Sequence, residues 1–217
     1  TVIAVDNVSL KVSNEIVALC GRNGAGKSTL LKAIAGIVDI NSGEILLDGK
    51  DIANIPIFKR LEAGIGYVPE DRKLFKEMTV RENIEVARLG VNISKRKEMD
   101  INKLLPELKS FYNRKGKLLS GGEQKIVSIA RAIVASPKVL LFDELLEGLA
   151  QSMCVKISNI VKKIKEEGKD ILCAESSLDK ARLYADRVIW LERGKVVTEG
   201  TPEEVKERIK EIIRGEK

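Results

Sequence analysis

The chain has 217 residues and a formal net charge of +6, enough for one large domain or two closely joined lobes with a real core. Charged residues make up 32% and hydrophobic ones 44%, a soluble globular balance with neither the run of about eighteen apolar residues of a bilayer span nor a basic-then-apolar leader. Histidine is absent and aromatics are only 4%, which removes the commonest general base and metal ligand and leaves few stacking platforms for nucleic acid.

Val2–Val12 alternates between apolar and polar residues, the pattern of a half-buried antiparallel strand. Ser13-Asn14-Glu15 turns the chain into Ile16-Val17-Ala18-Leu19-Cys20, an apolar run predicted to be a buried strand. Directly after it comes Gly21-Arg22-Asn23-Gly24-Ala25-Gly26-Lys27-Ser28-Thr29, which matches G-x-x-x-x-G-K-[ST] at every required position. Leu30 to Ile37 then reads as the opening of a helix. Strand, glycine-rich loop and helix in that order predict a phosphate cradle: glycines curl the backbone so that successive N–H groups face one anion, and the helix adds its positive end. Lys27 is placed to reach the terminal phosphates of a nucleoside triphosphate and Ser28 to hold Mg²⁺.

A short strand follows at Glu44–Lys50, closed by the Asp48-Gly49 turn. Ile52–Ala63 is predicted helical, and Gly64–Pro69 a second core strand. From Asp71 to Ala135 helical periods take over. Helices are expected near Val80–Leu89, Lys95–Leu105 and Gly122–Ala135, the first capped by Thr79 with Glu82 three residues on. This block reads as a helical lobe inserted into a sheet-based core. The core resumes at Val139-Leu140-Leu141-Phe142, a continuous apolar run suited to a central parallel strand. Helix Val155–Glu167, strand Ile171–Ala174, helix Leu178–Ala185, strand Arg187–Leu191 and a hairpin at Arg193-Gly194-Lys195 follow. Thr201-Pro202 opens a last helix, with Val205, Ile209, Ile212 and Ile213 on one face and expected to dock on the core. Cys20, Cys154 and Cys173 lie far apart without metal-ligand spacing, and Cys20 and Cys173, in apolar strand-like runs, are expected as reduced core thiols of a cytosolic protein.

Two further segments carry chemistry. Asp143-Glu144 follows the apolar run at the C-terminal end of a predicted parallel strand, where open sheets bind ligands. Beside a phosphate loop, Asp143 is expected to hold Mg²⁺ and Glu144 to orient and deprotonate the attacking water. Leu119-Ser120-Gly121-Gly122-Glu123-Gln124 offers a hydroxyl and backbone N–H groups at a helix start, a second anion cradle. One chain has no obvious need of two. A dimer does, if each cradle caps the nucleotide held by the other chain.

The order of these motifs resembles the ATP-binding cassette (ABC) ATPase family over essentially the whole chain. The resemblance implies an α/β fold: a P-loop NTPase core of the RecA-like kind with an N-terminal antiparallel β subdomain and an inserted α-helical signature subdomain. Residues 1–70 and 136–217 would form the nucleotide-binding core and 71–135 the helical lobe. It implies ATP and Mg²⁺ as ligands, with 21–29, Ser120, Gly121, Gly122, Glu123 and Ser176 on the nucleotide, Ser28, Glu70 and Asp143 on the metal, and Glu144 and Lys27 catalytic. Tyr67-Val68-Pro69-Glu70-Asp71-Arg72, Met78–Asn83 and Glu147-Gly148-Leu149-Ala150 are closest to the ATPase subunits of branched-chain amino acid importers, where Glu commonly stands at position 70. The implied partners are a like or paralogous ATPase chain and two transmembrane permease subunits, at the cytoplasmic face of the cell membrane, with no nucleic acid. Ser176 stands where most of the family has a switch histidine, and Leu145 and Gln151 replace two usual prolines. A binding-only subunit regulating a catalytic paralogue is therefore the alternative, and a soluble non-transport ABC ATPase the third reading.

Overall fold

The computed structural model describes residues 3–89, 99–135 and 137–214. Its centre is strand β1 (Ile16–Cys20), five apolar residues with every side chain buried. A strand buried on both faces cannot alternate apolar with polar, which is why this stretch is uniformly apolar. Beyond it lie α1 (Lys27–Ala35), the small hairpin β2 (Leu46–Leu47) and β3 (Lys50–Asp51), α2 (Ile57–Ala63) and β4 (Ile65–Val68). The helical block holds α3 (Val80–Leu89), α4 (Ile101–Leu104) and α5 (Gly121–Ile133). Then come β5 (Val139–Asp143), α6 (Gln151–Glu166), β6 (Asp170–Glu175), α7 (Leu178–Ala181), β7 (Arg187–Glu192), β8 (Lys195–Gly200) and α8 (Pro202–Arg214).

The main sheet has the order β4-β5-β6-β1-β7-β8. All neighbours run parallel except the β7–β8 hairpin, which turns at Arg193 and Gly194, both with positive φ. Successive strand residues face opposite sides. Leu140 and Phe142 join the cluster shared with α5 and α6, whereas Leu141 packs with Leu19, Leu31 and Ile189 beneath α1. Register places Cys20 beside Glu175 and Asp143 beside Ala174, so the C-terminal ends of β1, β5 and β6 meet at one edge.

Helix α1 is bounded by two left-handed glycines, Gly26 and Gly36. Its end is clamped by the buried guanidinium of Arg60, which donates to the carbonyls of Ala33, Ile34 (2.9 Å), Ala53 and Ile55 (3.1 Å). Ala33 and Ile34 carry last-turn carbonyls of α1, the kind a helix terminus leaves short of partners, while Ala53 and Ile55 lie in the loop before α2. The expected box at Thr79–Glu82 forms, and the expected N-cap Thr201 proves to be the start of a second box closed by Glu204.

Three expectations need correction. Of the Val2–Val12 strand, residues 3–12 carry no strand. Val8, Leu10 and Val12 do pack on the core, so the alternation reports a buried face, but Asn7 and Asn14 in the left-handed region bracket it and no ladder forms. Of the Lys95–Leu105 helix, residues 95–98 lie outside the described residues; the rest is the short α4. Asp100 caps it by accepting from the N–H groups of Asn102 and Lys103, and Pro106 ends it by excluding helical geometry at Leu105. In α8, Val205 is buried and Ile209 partly so, but Ile212 is 52% and Ile213 79% exposed. The helix docks by its first half only. No helix among the described residues is long and apolar enough to cross a membrane.

Candidate active site

The phosphate loop arches between β1 and α1 over a shallow cavity of about 570 Å³. Two glycines are obligatory there. A Cβ on Gly21 would strike the Leu191 carbonyl oxygen, and one on Gly26, at φ 100°, would strike the Ala4 carbonyl oxygen. The N-terminal segment thus lies directly against the loop, and Ala4 joins the cavity wall. Residues 23–29, Glu70, Glu144, Glu147 and Ser176 line the rest.

Lys27 is buried. Its ammonium donates to the carbonyls of Gly21 (2.9 Å) and Arg22 (3.3 Å) and lies 3.6 Å from Glu144 Oε1. The Ser28 hydroxyl donates to Asp143 Oδ1 at 2.7 Å, and the Tyr67 hydroxyl donates to Asp143 Oδ2 at 3.0 Å. Burial first, then the Asp143 charge, pushes the Tyr67 phenol above its ordinary range. It stays a donor.

Glu144 sits just past β5 with φ 44°, a left-handed conformation that costs a non-glycine residue about 1–2 kcal/mol. The surroundings hold it there. Its N–H donates to the Ala174 carbonyl (3.0 Å), its carbonyl accepts from Lys125 Nζ (3.2 Å), and its Oε2 accepts from the Ser176 N–H (3.1 Å). Ser176 therefore meets the site chiefly through its backbone. Beneath, the fully buried Glu175 accepts from the Leu146 N–H (3.0 Å) and the Tyr184 hydroxyl (3.2 Å) on one oxygen. Burial, reinforced by the neighbouring Glu144 charge, raises its pKa to about 7. Glu147 pairs with Lys180, whose hydrogen bond holds that carboxyl below its usual range.

The second cradle stands apart. Ser120 caps α5 in a complete capping box: its Oγ accepts from the Glu123 N–H (3.3 Å) and its own N–H donates to Glu123 Oε2 (2.7 Å). Arg114 donates to Glu123 Oε1 at 2.7 Å. Burial would raise the Glu123 carboxyl, but the Ser120 N–H and Arg114 together outweigh it and the pKa is lowered. Ser120, Gly121, Gly122 and Glu123 do not line the cavity, and neither do Gly21 and Arg22. The structure thus brings Lys27, Ser28, Glu70, Asp143, Glu144 and Ser176 to one corner and leaves residues 120–123 elsewhere.

Sequence reasoning missed Lys125 and Glu175 and did not single out Tyr67. A signal existed for two of them. Lys125 falls on the apolar face of α5, three residues after Gly122 and four before Ile129, and Glu175 closes an otherwise apolar strand.

As for a metal, the Ser28 hydroxyl and Asp143 carboxylate converge on one point with Glu70 on the same wall. Hard oxygen donors of this kind suit Mg²⁺. Among the described residues no cluster of three or more His, Cys, Asp or Glu side chains forms a cage, so the set fits an ion that a ligand's own oxygens complete.

Residues 5–147 match the family model described as ABC transporter. The lipopolysaccharide export system ATP-binding protein LptB of Haemophilus influenzae is 36% identical over 98% of this chain and 91% of its own length. The high-affinity branched-chain amino acid transport ATP-binding protein BraG of Pseudomonas aeruginosa is 36% identical over 91% of this chain and 86% of its own. The dimeric post-hydrolysis structure of the ATP-binding cassette MJ0796, bound to ADP and Pi, superposes with a TM-score of 0.79 at 28% identity, covering 92% of this chain and 90% of that one.

Proposed function

The chain belongs to the ABC transporter family as an ATP-binding, ATP-hydrolysing subunit, and from that premise we propose that Glu144 is its hydrolytic base and that it energises import of a small solute, a branched-chain amino acid. The observation that carries the first part is the convergence of Lys27, Ser28, Asp143 and Glu144 at one end of the parallel sheet. The loop N–H groups bind the phosphates. Lys27 exchanges its carbonyl partners for phosphate oxygens and stabilises the charge that develops on them. Ser28 and Asp143 would hold Mg²⁺, with Glu70 beside them; the ion supplies charge neutralisation across the phosphates. Glu144, steadied by Lys27 and the Ser176 N–H, takes the proton of the attacking water.

The reading is of a dimer, like or unlike, in which residues 120–123 of each chain close on the nucleotide of the other, with residues 71–135 as the lobe that carries them. MJ0796 supports it as a dimeric cassette of similar fold. Two permease subunits would place the chain at the inner membrane face, with no role for nucleic acid. The import reading draws on Glu70 in the cavity wall and on BraG. Outward lipid transport is the second reading, because LptB is as similar and covers more of the chain.

Turnover of Mg²⁺-ATP by the purified chain, followed across a protein concentration series, tests the base. Glu144→Gln is expected to lower it about 10²–10⁴-fold while ATP still binds; unchanged turnover overturns the assignment. Uptake of labelled leucine into proteoliposomes holding the chain with its co-purified permease subunits tests the solute. ATP turnover without leucine uptake removes that reading.

A further inference from the structure

We propose that Lys125 is a positioning residue for Glu144, fixing its carboxylate from behind and tying the signature helix α5 to the hydrolytic corner. The inference rests on the reading of Glu144 as the base. Lys125 is 1% exposed, and a lysine is almost never buried so deeply without a polar task. Glu175, Asp143, Glu70 and Arg72 are the charged groups acting on it. An ordinary ion pair with Glu175 would account for the burial, but the geometry is otherwise. Glu175 Oε1 is taken by Leu146 and Tyr184, its Oε2 accepts nothing, and the Lys125 ammonium donates instead to the Glu144 carbonyl at 3.2 Å.

That carbonyl is the significant one. Glu144 is strained, and the peptide after it is free to rotate back to a relaxed conformation unless its oxygen is held. Lys125 (3.2 Å) and, more weakly, the Glu147 N–H (3.4 Å) hold it on one side while the Ala174 carbonyl holds the Glu144 N–H on the other. With both ends pinned, the carboxylate is presented to Lys27 and the Ser176 N–H. Burial, and then Arg72, lower the Lys125 pKa to about 8, so at neutral pH the ammonium is still charged and its bond to the carbonyl is charge-assisted. Because Lys125 rides on the helix that begins with the signature, a shift of α5 is felt at Glu144.

Lys125→Met keeps an unbranched side chain, one atom shorter, and removes the donor. In the nucleotide-free chain it is expected to speed amide hydrogen exchange at residues 144–147 and at Ser176, with the rest of α5 unchanged; equal exchange there overturns the proposal. In turnover, kcat falls roughly tenfold, one hydrogen bond's worth, with the KM for ATP unchanged. Combined with Glu144→Gln, Lys125→Met costs nothing further, as expected of residues acting as a unit; a multiplied loss means a merely structural role. If Glu144→Gln alone leaves turnover intact, the base reading fails while the exchange result still decides the Lys125 contact. Lys125→Gln restores a donor one bond shorter and is expected to recover most of the protection. Should the Met variant not fold, Lys125→Leu is measured instead: faster exchange at 144–147 supports the proposal and wild-type exchange overturns it.

Discussion

The corner proposed to hydrolyse ATP and the start of α5, proposed as a second anion cradle, both lie at helix starts, yet they are built on opposite plans. At the corner the central groups face one another: Lys27 with Glu144, and Ser28 with Asp143, form pairs that a ligand would have to reorganise. At the signature end, Ser120, Glu123 and Arg114 satisfy the helix terminus among themselves and face no cavity residue. The first is poised to exchange partners; the second is finished as a local structure, and on the proposed reading only another chain's nucleotide would meet it. Carboxylates show the same contrast. Glu175 behind the corner is pushed towards the neutral form by burial, whereas the Ser120 N–H and Arg114 keep Glu123 charged.

The largest break comes from Lys27→Met. Losing the cradle's point charge is expected to lower turnover about 10²–10³-fold, measured by phosphate release, with the fold and the α5 cap intact by circular dichroism. Wild-type turnover would mean that the corner is not the site. The second prediction uses pH. Glu175 has a folded pKa of about 7 against an ordinary 4.5, so the folded chain keeps a proton that the unfolded chain releases. Its contribution is full below about pH 4.5 and is lost as pH rises through 7, by roughly 3 kcal/mol. Glu123 runs the other way: with its folded pKa lowered, its contribution is present above 4.5 and fades as the pH falls below that. Urea midpoints at pH 5 and 8 should therefore converge in Glu175→Gln, and an unchanged difference removes Glu175 as the cause. The smallest effect is Ser120→Ala. Loss of the cap is expected to cost about 1 kcal/mol and lower Tm by roughly 2–4 °C. ATP affinity of the dilute chain should stay as it was, since residues 120–123 do not line the cavity. A matching loss of affinity would erase the distinction between the two regions.

Much of this was legible beforehand where chemistry is local. The phosphate loop, the caps at Thr79 and Thr201 and the hairpin turn at Asp48-Gly49 depend on residues within a few positions of one another, and all formed. The central strands were legible because burial on both faces leaves a uniform apolar run. What failed depended on neighbours far away in sequence. Alternation in residues 3–12 correctly marked Val8, Leu10 and Val12 as facing the core, but whether a partner strand lies alongside is not written in that stretch. Ile212 and Ile213 continue an amphipathic stripe, yet the sheet ends before α8 does, and nothing in the helix's own residues states that length. Lys125 and Glu175 sit in otherwise apolar patterns, but which groups they meet there was decided only when packing closed over them.

By itself, then, the amino-acid order determined the phosphate loop, the strand that feeds it, the acidic pair at 143 and 144 and the helix cap at 120, because each is a short-range arrangement of backbone freedom and hydrogen-bonding groups. Only the tertiary structure decided that Glu144 is strained and held from both sides, that Lys27 lies against it, that a buried lysine from α5 reaches its carbonyl, and that the two cradles of one chain do not meet. Those facts depend on which strand ends lie side by side and how far apart two helix starts fall, and the register and packing of the whole sheet fix both.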